Sequence, residues 1–386
     1  MEQEKEHKRR VRYKGTHPRS YREKYKELNP EKYQQDVEKI IQSGKTPAGM
    51  HIPICVNEIL EFLNIQPGQI GLHAPLGYGG HSRKMLEKLQ GQGHLYATDV
   101  DPIESEKTQS RLEEAGYGPD ILTIRRMNFA QLDEVAPGVQ FDFVLADLGV
   151  SSMQIDNPER GFTFKQDGPL DLRLDPTSGE PASQRLRELN REEIAAMLVE
   201  NADEPYPQEI AKAIFQKRRK RQPIETTRQL ADTVEEALSF LPQRERKEVV
   251  KKSCQRTFQA LRIDVNSEFE VLYSFLEKLP SVLKPGGKVA VLTFHSGEDR
   301  LVKKSFQALA RQGIYREVAK EVVRPSAQEC FQNPRAKSTK MKSRVCKSRT
   351  LLQTRLVCIL HKVKSSSLSL LKSGRIGRGG TRLSGS

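Results

Sequence analysis

The sequence lacks the features that define several large classes of protein. Its 386 residues contain no apolar run of the ~18 residues that a membrane-spanning helix needs. The five cysteines are odd in number and form no CxxC pair, which argues against a disulfide framework or a zinc ribbon and fits a reducing compartment. The first residues hold no apolar signal segment and are too acidic for a transit peptide. We therefore expect a cytoplasmic protein without a membrane span.

Three potential metal ligands lie towards the end of the sequence, namely Cys346, Cys358 and His361. In a low-complexity segment, such residues are more often free thiols and a solvated imidazole than ligands. We therefore assign no metal from the sequence.

Acidic residues are absent from the segment 333–386, which contains fourteen Lys or Arg. Subtracting these from the 64 basic residues leaves 50 basic against 50 acidic residues in the rest of the chain, so the whole net charge of +14 lies in this segment. Residues 1–26 are also basic, with ten Lys or Arg and four Glu. A neutral body with basic ends favours a polyanionic partner such as nucleic acid, although such ends can also serve solubility alone.

Short apolar runs alternate with helix-like segments between residues 52 and 155. The runs are at 69–74, 93–99, 120–127 and 141–147. Four such alternations predict a parallel, doubly wound sheet. The helical spacing of Val56, Ile59, Leu60 and Leu63 predicts a helix before the first strand.

The segment 156–255 does not continue this alternation of apolar runs and helix-like segments. It begins with a stretch rich in Pro, Gly and Asp that is typical of an ordered loop, and helices are predicted near 186–201, 207–221, 226–240 and 245–253. Its length indicates an inserted helical subdomain. The sheet pattern resumes with a helix at 258–281, a KPGG turn at 284–287 and a strand at 288–294, followed after about 306 by a loop-rich segment.

We thus predict four parts of the chain. They are a basic extension (1–48, partly helical at 29–43), a core (49–155 and 256–344), the insertion (156–255), and a basic disordered tail (345–386).

In a doubly wound sheet the ligand lies beyond the carboxyl ends of the strands. The first strand leads into GYGGHS, residues 77–82, whose glycines allow close backbone approach to a ligand. The dinucleotide fingerprint GxGxxG is not met, because Ser82 occupies the place of the third glycine. No GK[ST] follows, so a Walker loop is excluded as well.

The ends of the later strands carry candidate ligand contacts. Asp99 follows Gly80 by nineteen residues and can accept both hydroxyls of a ribose, or it can cap the helix that Asp101 and Pro102 begin. Asp147 ends the fourth predicted strand and points into the same crevice. Phe129 follows the third and can stack on an adenine or belong to the core. The pairing of the glycine loop with Asp99 at this spacing favours a nucleoside cofactor.

Six segments together resemble the RsmH/MraW family, in the family's order from about residue 51 to 344. They are GYGGHS, DVDP, DLGVSSMQIDNPERGFTFKQDGPLDLRLD, TFQALRIDVNSE, FHSGEDRLVK and NPRAKSTKMKSR. The resemblance implies a Rossmann-like class I methyltransferase fold. It also implies S-adenosylmethionine-dependent methylation of a cytidine N4 in the decoding region of bacterial small-subunit rRNA.

The resemblance also implies roles for individual residues. It places S-adenosylmethionine against Gly79, Gly80, His81, Asp99, Phe129, Asp147 and Gln154, with Asp99 at the ribose and Phe129 beside the adenine. His81 could instead cap a helix beginning at Ser82, and Gln154 could satisfy backbone groups in a loop. The [DNS]PP[YF] motif of many amino-methyltransferases is absent, so DLGVSS, residues 147–152, would have to take its place. Asp147 is the candidate catalytic residue, and a backbone carbonyl in 148–151 is the alternative group that could stabilise the charge on N4 and accept the proton.

Two positions depart from the family pattern. His73 and Pro75 stand where the family usually has Asp and Thr, which removes an anion and a backbone donor. This departure supports an alternative function, a noncatalytic rRNA-binding or assembly protein with a weakened cofactor site.

Basic residues are candidates for holding the RNA. They are Arg160, Arg173, the run 216–221, Arg256, Arg262, Lys303 and Lys304. His295 and residues 298–300 could line a cytosine pocket or form a structural ion pair and cap.

Overall fold

The computed structural model describes residues 53–317 and 322–347, and we refer to these ranges as the described residues. The predicted basic extension with its helix at 29–43, and the tail from residue 348 onward, lie outside them.

Seven strands form one mostly parallel sheet within the described residues. The strands are β1 (Ile70–Ala74), β2 (His94–Asp99), β3 (Leu122–Arg126), β4 (Phe141–Asp147), β5 (Leu283–Thr293), β6 (Tyr315–Glu317) and β7 (Lys340–Cys346). Their order is β3-β2-β1-β4-β5-β7-β6, and β7 runs antiparallel to its two neighbours. The sheet confirms the predicted doubly wound, Rossmann-like fold.

Helices cover both faces of the sheet and build the insertion. They are α1 (Val56–Leu63), α2 (Gly80–Leu89), α3 (Pro102–Glu114), α4 (Leu132–Val135), α5 (Ser152–Asp156), α6 (Ala182–Glu188), α7 (Arg191–Ala202), α8 (Pro207–Arg219), α9 (Thr227–Ala237), α10 (Gln243–Val265), α11 (Glu268–Val282), α12 (Ser296–Arg311) and α13 (Ala327–Gln332). Among the described helices, none is long and apolar enough to cross a membrane.

The central strand β4 shows why the strands are apolar runs. Val144 and Ala146 pack into the cluster formed with α11 and α12, whereas Phe143 and Leu145 pack into the cluster formed with α1 and α2. Because helices cover both faces, successive side chains are buried on opposite sides and the run has no polar alternation.

The insertion has an apolar core of its own, to which Leu198, Ile210 and Leu230 contribute. The predicted single helix at 186–201 is wrong, because α6 ends at Glu188 and α7 begins at Arg191. Asn190 separates them, since its side chain accepts a hydrogen bond from the Glu193 amide in a capping box.

Helix α10 runs without interruption through residues 254–257, where a break between two helices was predicted. The predicted boundary between insertion and core therefore lies inside a helix. Cys254 and Phe258 on this helix are buried in the cluster of the insertion. The division into core and insertion stays a prediction.

The segment after residue 306 is more regular than the sequence predicts. Helix α12 continues to Arg311, and β6 and β7 complete the sheet. Strand β7 extends two residues into the predicted tail. Its sequence KMKSRVC carries buried cations, with Lys342 only 7% exposed and paired with Asp299. A strand with charged interior positions shows no apolar pattern, so sequence periodicity could not reveal it.

Candidate functional site

A cavity of about 780 Å³ lies beyond the carboxyl ends of β1, β2, β4 and β5. Its lining includes the glycine loop 77–81, the end of α10 and the start of α11. The strand order reverses between β1 and β4, which is where doubly wound sheets bind ligands. The volume falls within the range of about 300–1,000 Å³ that small-molecule sites occupy.

The glycine loop brings the start of α2 to the cavity. Gly79 adopts φ +81°, and a Cβ there would lie 2.6 Å from the Thr108 methyl carbon, so the position requires glycine. Its amide donates to the Leu76 carbonyl oxygen at 3.1 Å and is not available to a ligand. Helix α2 begins at Gly80, not at Ser82 as considered from the sequence. The first-turn amides of a helix have no partner within it, so those of Gly80 and His81 can bind an anionic or polar group.

His81 lies inside the first turn of α2 and its side chain has partners of its own, so the alternative of a cap that contributes only its backbone amide is wrong. Its Nε2 lies 2.9 Å from the Ile54 carbonyl oxygen, and its Nδ1 lies 3.0 Å from Asp147 Oδ2. Burial lowers the pKa of His81, but the Asp147 carboxylate more than offsets this and raises the pKa above its ordinary value. The Asp147 side chain, 21% exposed, reaches the cavity from the end of β4.

Asp99 lies at the end of β2 and lines the cavity. Its two oxygens accept hydrogen bonds from the amides of Gly77 (2.8 Å) and Asp101 (2.9 Å). Burial raises the pKa of Asp99 to about 6. Each carboxylate oxygen keeps a further lone pair that can accept a hydroxyl. The helix cap considered for Asp99 is instead Asp101, which accepts from two amides at the start of α3.

Behind the cavity, Asp101 forms a buried ion pair with Arg160 at 2.7 Å. Arg160 is 6% exposed, and its Nη2 donates to the carbonyl oxygens of Arg173 (3.1 Å) and Leu174 (2.8 Å). Its predicted role in holding RNA is therefore wrong, because the guanidinium is enclosed by the protein. Asn266 fixes the same loop, accepting from the Leu174 amide at 2.8 Å.

Gln154 joins the same network from α5. Its Oε1 accepts from the Ser151 amide at 2.8 Å, and its Nε2 donates to Asp101 Oδ2 at 2.8 Å. The side chain thus satisfies a backbone group, as the alternative interpretation held, and it also lines the cavity.

Phe129 combines the two roles considered for it. Its ring packs edge-on against Phe275 with centroids 5.3 Å apart, at the margin of the core. The residue also lines the cavity, so an aromatic surface is present where the third strand ends.

Two pairs of ionisable side chains line the cavity near the ends of α10 and β5. His295 Nε2 lies 3.2 Å from Glu298 Oε1, and Arg262 Nε lies 2.7 Å from Glu268 Oε1. Glu298 Oε2 also accepts from the Phe294 amide at 2.8 Å. His295 and Glu298 therefore cap the start of α12, which is the structural role considered for them from the sequence. All four side chains line the cavity.

Of the basic residues predicted to hold RNA, several are engaged within the protein. Arg173 pairs with Asp171 at 2.7 Å, Arg262 with Glu268, and Arg256 lies 4.0 Å from Glu204. Exposed cations remain at 219–221, at the end of α8, and at Lys303 and Lys304 on α12.

His73, one of the two departures from the family pattern, is 1% exposed and lies beneath the loop. Its Nδ1 is 2.6 Å from Ser82 Oγ. Burial, and then the nearby His81, lower the pKa of His73 to about 3, so the ring is neutral at physiological pH. Pro75, the other departure, lines the cavity.

Curated relatives are similar to most of the chain. The proteins called "Ribosomal RNA small subunit methyltransferase H 1" from Agathobacter rectalis and Lachnoclostridium phytofermentans are each 64% identical to it, over 343 and 341 residues. These alignments cover 89% and 88% of this chain and 98% and 93% of the relatives. "Ribosomal RNA small subunit methyltransferase H 2" from Alkaliphilus metalliredigens is 60% identical, covering 88% of this chain and 97% of that protein.

The family model described as the MraW methylase family matches residues 48–348. The match includes the glycine loop, the ends of all the parallel strands and the whole insertion. The chain therefore belongs to the MraW methylase family.

Proposed function

We propose that the protein transfers a methyl group from S-adenosylmethionine to the N4 amine of a cytidine in the decoding region of 16S rRNA. The observation that carries this proposal is one cavity that joins a glycine loop, Asp99 and Asp147 in a member of a methylase family. The names of its relatives, ribosomal RNA small subunit methyltransferases, support small-subunit rRNA as the substrate.

The residues present fit S-adenosylmethionine. Asp99 would accept the ribose hydroxyls, the ring of Phe129 would contact the adenine, and the amides of Gly80 and His81 would bind polar groups of the cofactor. Gln154 would hold the loop after β4 in position through its bond to Asp101. When bound, the cofactor supplies a methyl group already activated on a sulfonium.

The protein's own task is then alignment and removal of one proton. The N4 lone pair of cytosine is delocalised into the ring, so holding it in line with the donor provides most of the acceleration. Positive charge develops on N4 during transfer, and the Asp147 carboxylate can stabilise it and accept the proton. His81, 3.0 Å away, holds this carboxylate in place.

The target base has to leave its stack to enter such a cavity. The cavity lining offers polar groups for its edge, among them Glu268, His295 and Glu298. Exposed cations at 219–221 on the insertion and at 303–304 on α12 would bind the surrounding phosphates.

The direct test uses small subunits from cells that lack this cytidine methylation. Purified protein and labelled S-adenosylmethionine should transfer one methyl group per subunit, and mass mapping should place it on a cytidine N4 in the decoding region. Transfer to another nucleotide would contradict the proposed target.

A cofactor titration by calorimetry distinguishes the proposed enzyme from the noncatalytic alternative. If the unaltered protein does not bind S-adenosylmethionine and the double substitution His73→Asp with Pro75→Thr restores binding, then these two residues impair the site. That result would favour the noncatalytic alternative. Binding that is present and unchanged by the double substitution would support the enzyme.

Cofactor binding should weaken in acid because of Asp99. Its pKa of about 6 means that the carboxylate is protonated below this pH and loses an acceptor for the ribose hydroxyls. We expect several-fold weaker binding at pH 5.5 than at pH 7.5 by calorimetry, and Asp99→Asn should flatten this dependence.

Acid should change the stability of the fold through Asp99 in the opposite direction to its effect on cofactor binding. Its folded-state pKa lies above the ordinary value of 3.8, so the folded protein takes up a proton as the pH falls from about 6 to about 4. The Asp99 contribution to the free energy of unfolding therefore increases across this window. A loss of affinity caused only by acid unfolding would instead appear together with lower stability, and would contradict the prediction.

A further inference from the structure

We propose that His73, His81 and Asp147 form a binding site for a divalent cation of the zinc type, in the wall of the cavity between β1, α2 and β4. Each residue offers one ligand atom, and the three atoms lie within 4.8 Å of one another. The proposal rests on these side chains alone. Because a bound cation would occupy the Asp147 carboxylate, the metal-bound form would differ from the form in which Asp147 accepts the proton in the proposed methyl transfer.

The contact of His81 with the Ile54 carbonyl oxygen leaves a lone pair on Nδ1, the nitrogen next to Asp147. The Ile54 carbonyl oxygen can only accept a hydrogen bond, so the Nε2 of His81, 2.9 Å away, carries the proton. In the neutral ring, Nδ1 then has a lone pair directed at Asp147 Oδ2, 3.0 Å distant. Two such atoms repel each other unless a proton or a cation lies between them. Ligands at ~2.0–2.1 Å from a tetrahedral zinc lie about 3.3 Å apart, close to the distance found.

His73 supplies the third ligand atom. Its Nε2 is buried and has no hydrogen-bond partner among the described residues. Its Nδ1 lies 2.6 Å from Ser82 Oγ, and a proton on Nδ1 that is donated to this oxygen frees the Nε2 lone pair. Ligating histidines are usually oriented in this way, with the second nitrogen held by an outer hydrogen bond. His81 has the same arrangement with Ile54, so both rings are fixed by their other nitrogen.

The donor set selects the class of metal. Two imidazole nitrogens and one carboxylate suit Zn²⁺ and similar transition metals, whereas Mg²⁺ and Ca²⁺ prefer oxygen ligands. Three protein ligands leave a fourth position for water or for a ligand group. His81 and Asp147 line the cavity, so this position is reached from there. The rival arrangement without metal is a protonated His81 paired with Asp147.

The test uses the full chain, freed of metal with a chelator, and measures Zn²⁺ affinity by competition with a chromogenic chelator. We expect one tight Zn²⁺ per chain, and Co²⁺ in its place should give the visible bands of a tetrahedral site. His73→Gln should weaken Zn²⁺ binding by at least about tenfold, since loss of even an outer-shell partner typically costs ~10–100-fold. The matched control is His94→Gln on β2, whose ring binds Thr123 Oγ1 and the Asp120 carbonyl oxygen instead.

Asp147→Asn provides a second variant, because its partly exposed position makes misfolding less of a concern than at buried His73. Absence of stoichiometric Zn²⁺ binding by the unaltered chain, or equal affinity in His73→Gln, Asp147→Asn and His94→Gln, would overturn the proposal. S-adenosylmethionine binding, measured separately on the metal-free protein, keeps the two proposals distinguishable. Cofactor binding without Zn²⁺ binding would refute the metal site alone, and the reverse result would refute the proposed cofactor alone.

Discussion

Asp147→Asn is expected to lower the rate of methyl transfer by about 10²–10⁴-fold, the range that positioned acid–base groups contribute. The amide keeps the size of the side chain but cannot take the proton from N4 or balance its developing charge. It also removes the anion that raises the pKa of His81. Single-turnover kinetics with undermethylated small subunits would measure the effect on the chemical step.

Asp175→Asn is the matched control for this substitution. Asp175 lines the same cavity, but its carboxylate is engaged by the amide and hydroxyl of Thr177 at 2.9 and 2.6 Å. We expect its rate to stay within a few-fold of the unaltered protein. An equal loss in both variants would mean that Asp147 acts through the general charge of the cavity, which would contradict a specific proton acceptor.

Arg160→Ala should reduce the free energy of unfolding by about 3–5 kcal/mol, the usual cost of removing one partner from a buried ion pair. The substitution leaves the fully buried Asp101 carboxylate without its cation. It also removes the donor that holds the carbonyl oxygens of Arg173 and Leu174. Urea denaturation of the two proteins would measure the difference.

Arg300→Ala provides the comparison for Arg160→Ala. Arg300 pairs with Asp203 at a similar distance, 2.9 Å, but both side chains are more than half exposed. Such pairs contribute about 0–1 kcal/mol because water screens them. Similar losses in the two variants would contradict the assignment of Arg160 to a buried structural pair and would reopen its predicted role at the RNA surface.

The parts of the site that the sequence predicts are those defined by local pattern. Strand ends can be found from apolar runs, so the sequence alone places the glycine loop, Asp99 and Asp147 at one edge of the sheet. The structure brings all three to one cavity. The roles of these residues towards a ligand stay predictions.

The parts that the sequence did not predict depend on contacts between distant residues. Asp101 is 59 positions from Arg160 and 53 from Gln154, and no local pattern links them. Arg160 in a polar loop looks like a surface residue until its partner is known. The same holds for Lys342, whose pairing with Asp299 allows a cation inside β7. The one local signal was DVDP, which marks Asp101 as a helix cap and gives no hint of its ion pair.

Helix α10 also bears on whether residues 156–255 could be removed as a unit. Its 23 residues span about 35 Å, from the core of the insertion to Gln259 and Arg262 in the cavity wall. Excising residues 156–255 would cut this helix in its middle and remove the loop that Arg160 and Asn266 secure. Residues 156–255 are therefore not separable from the cavity, because half of the helix that completes it would leave with them.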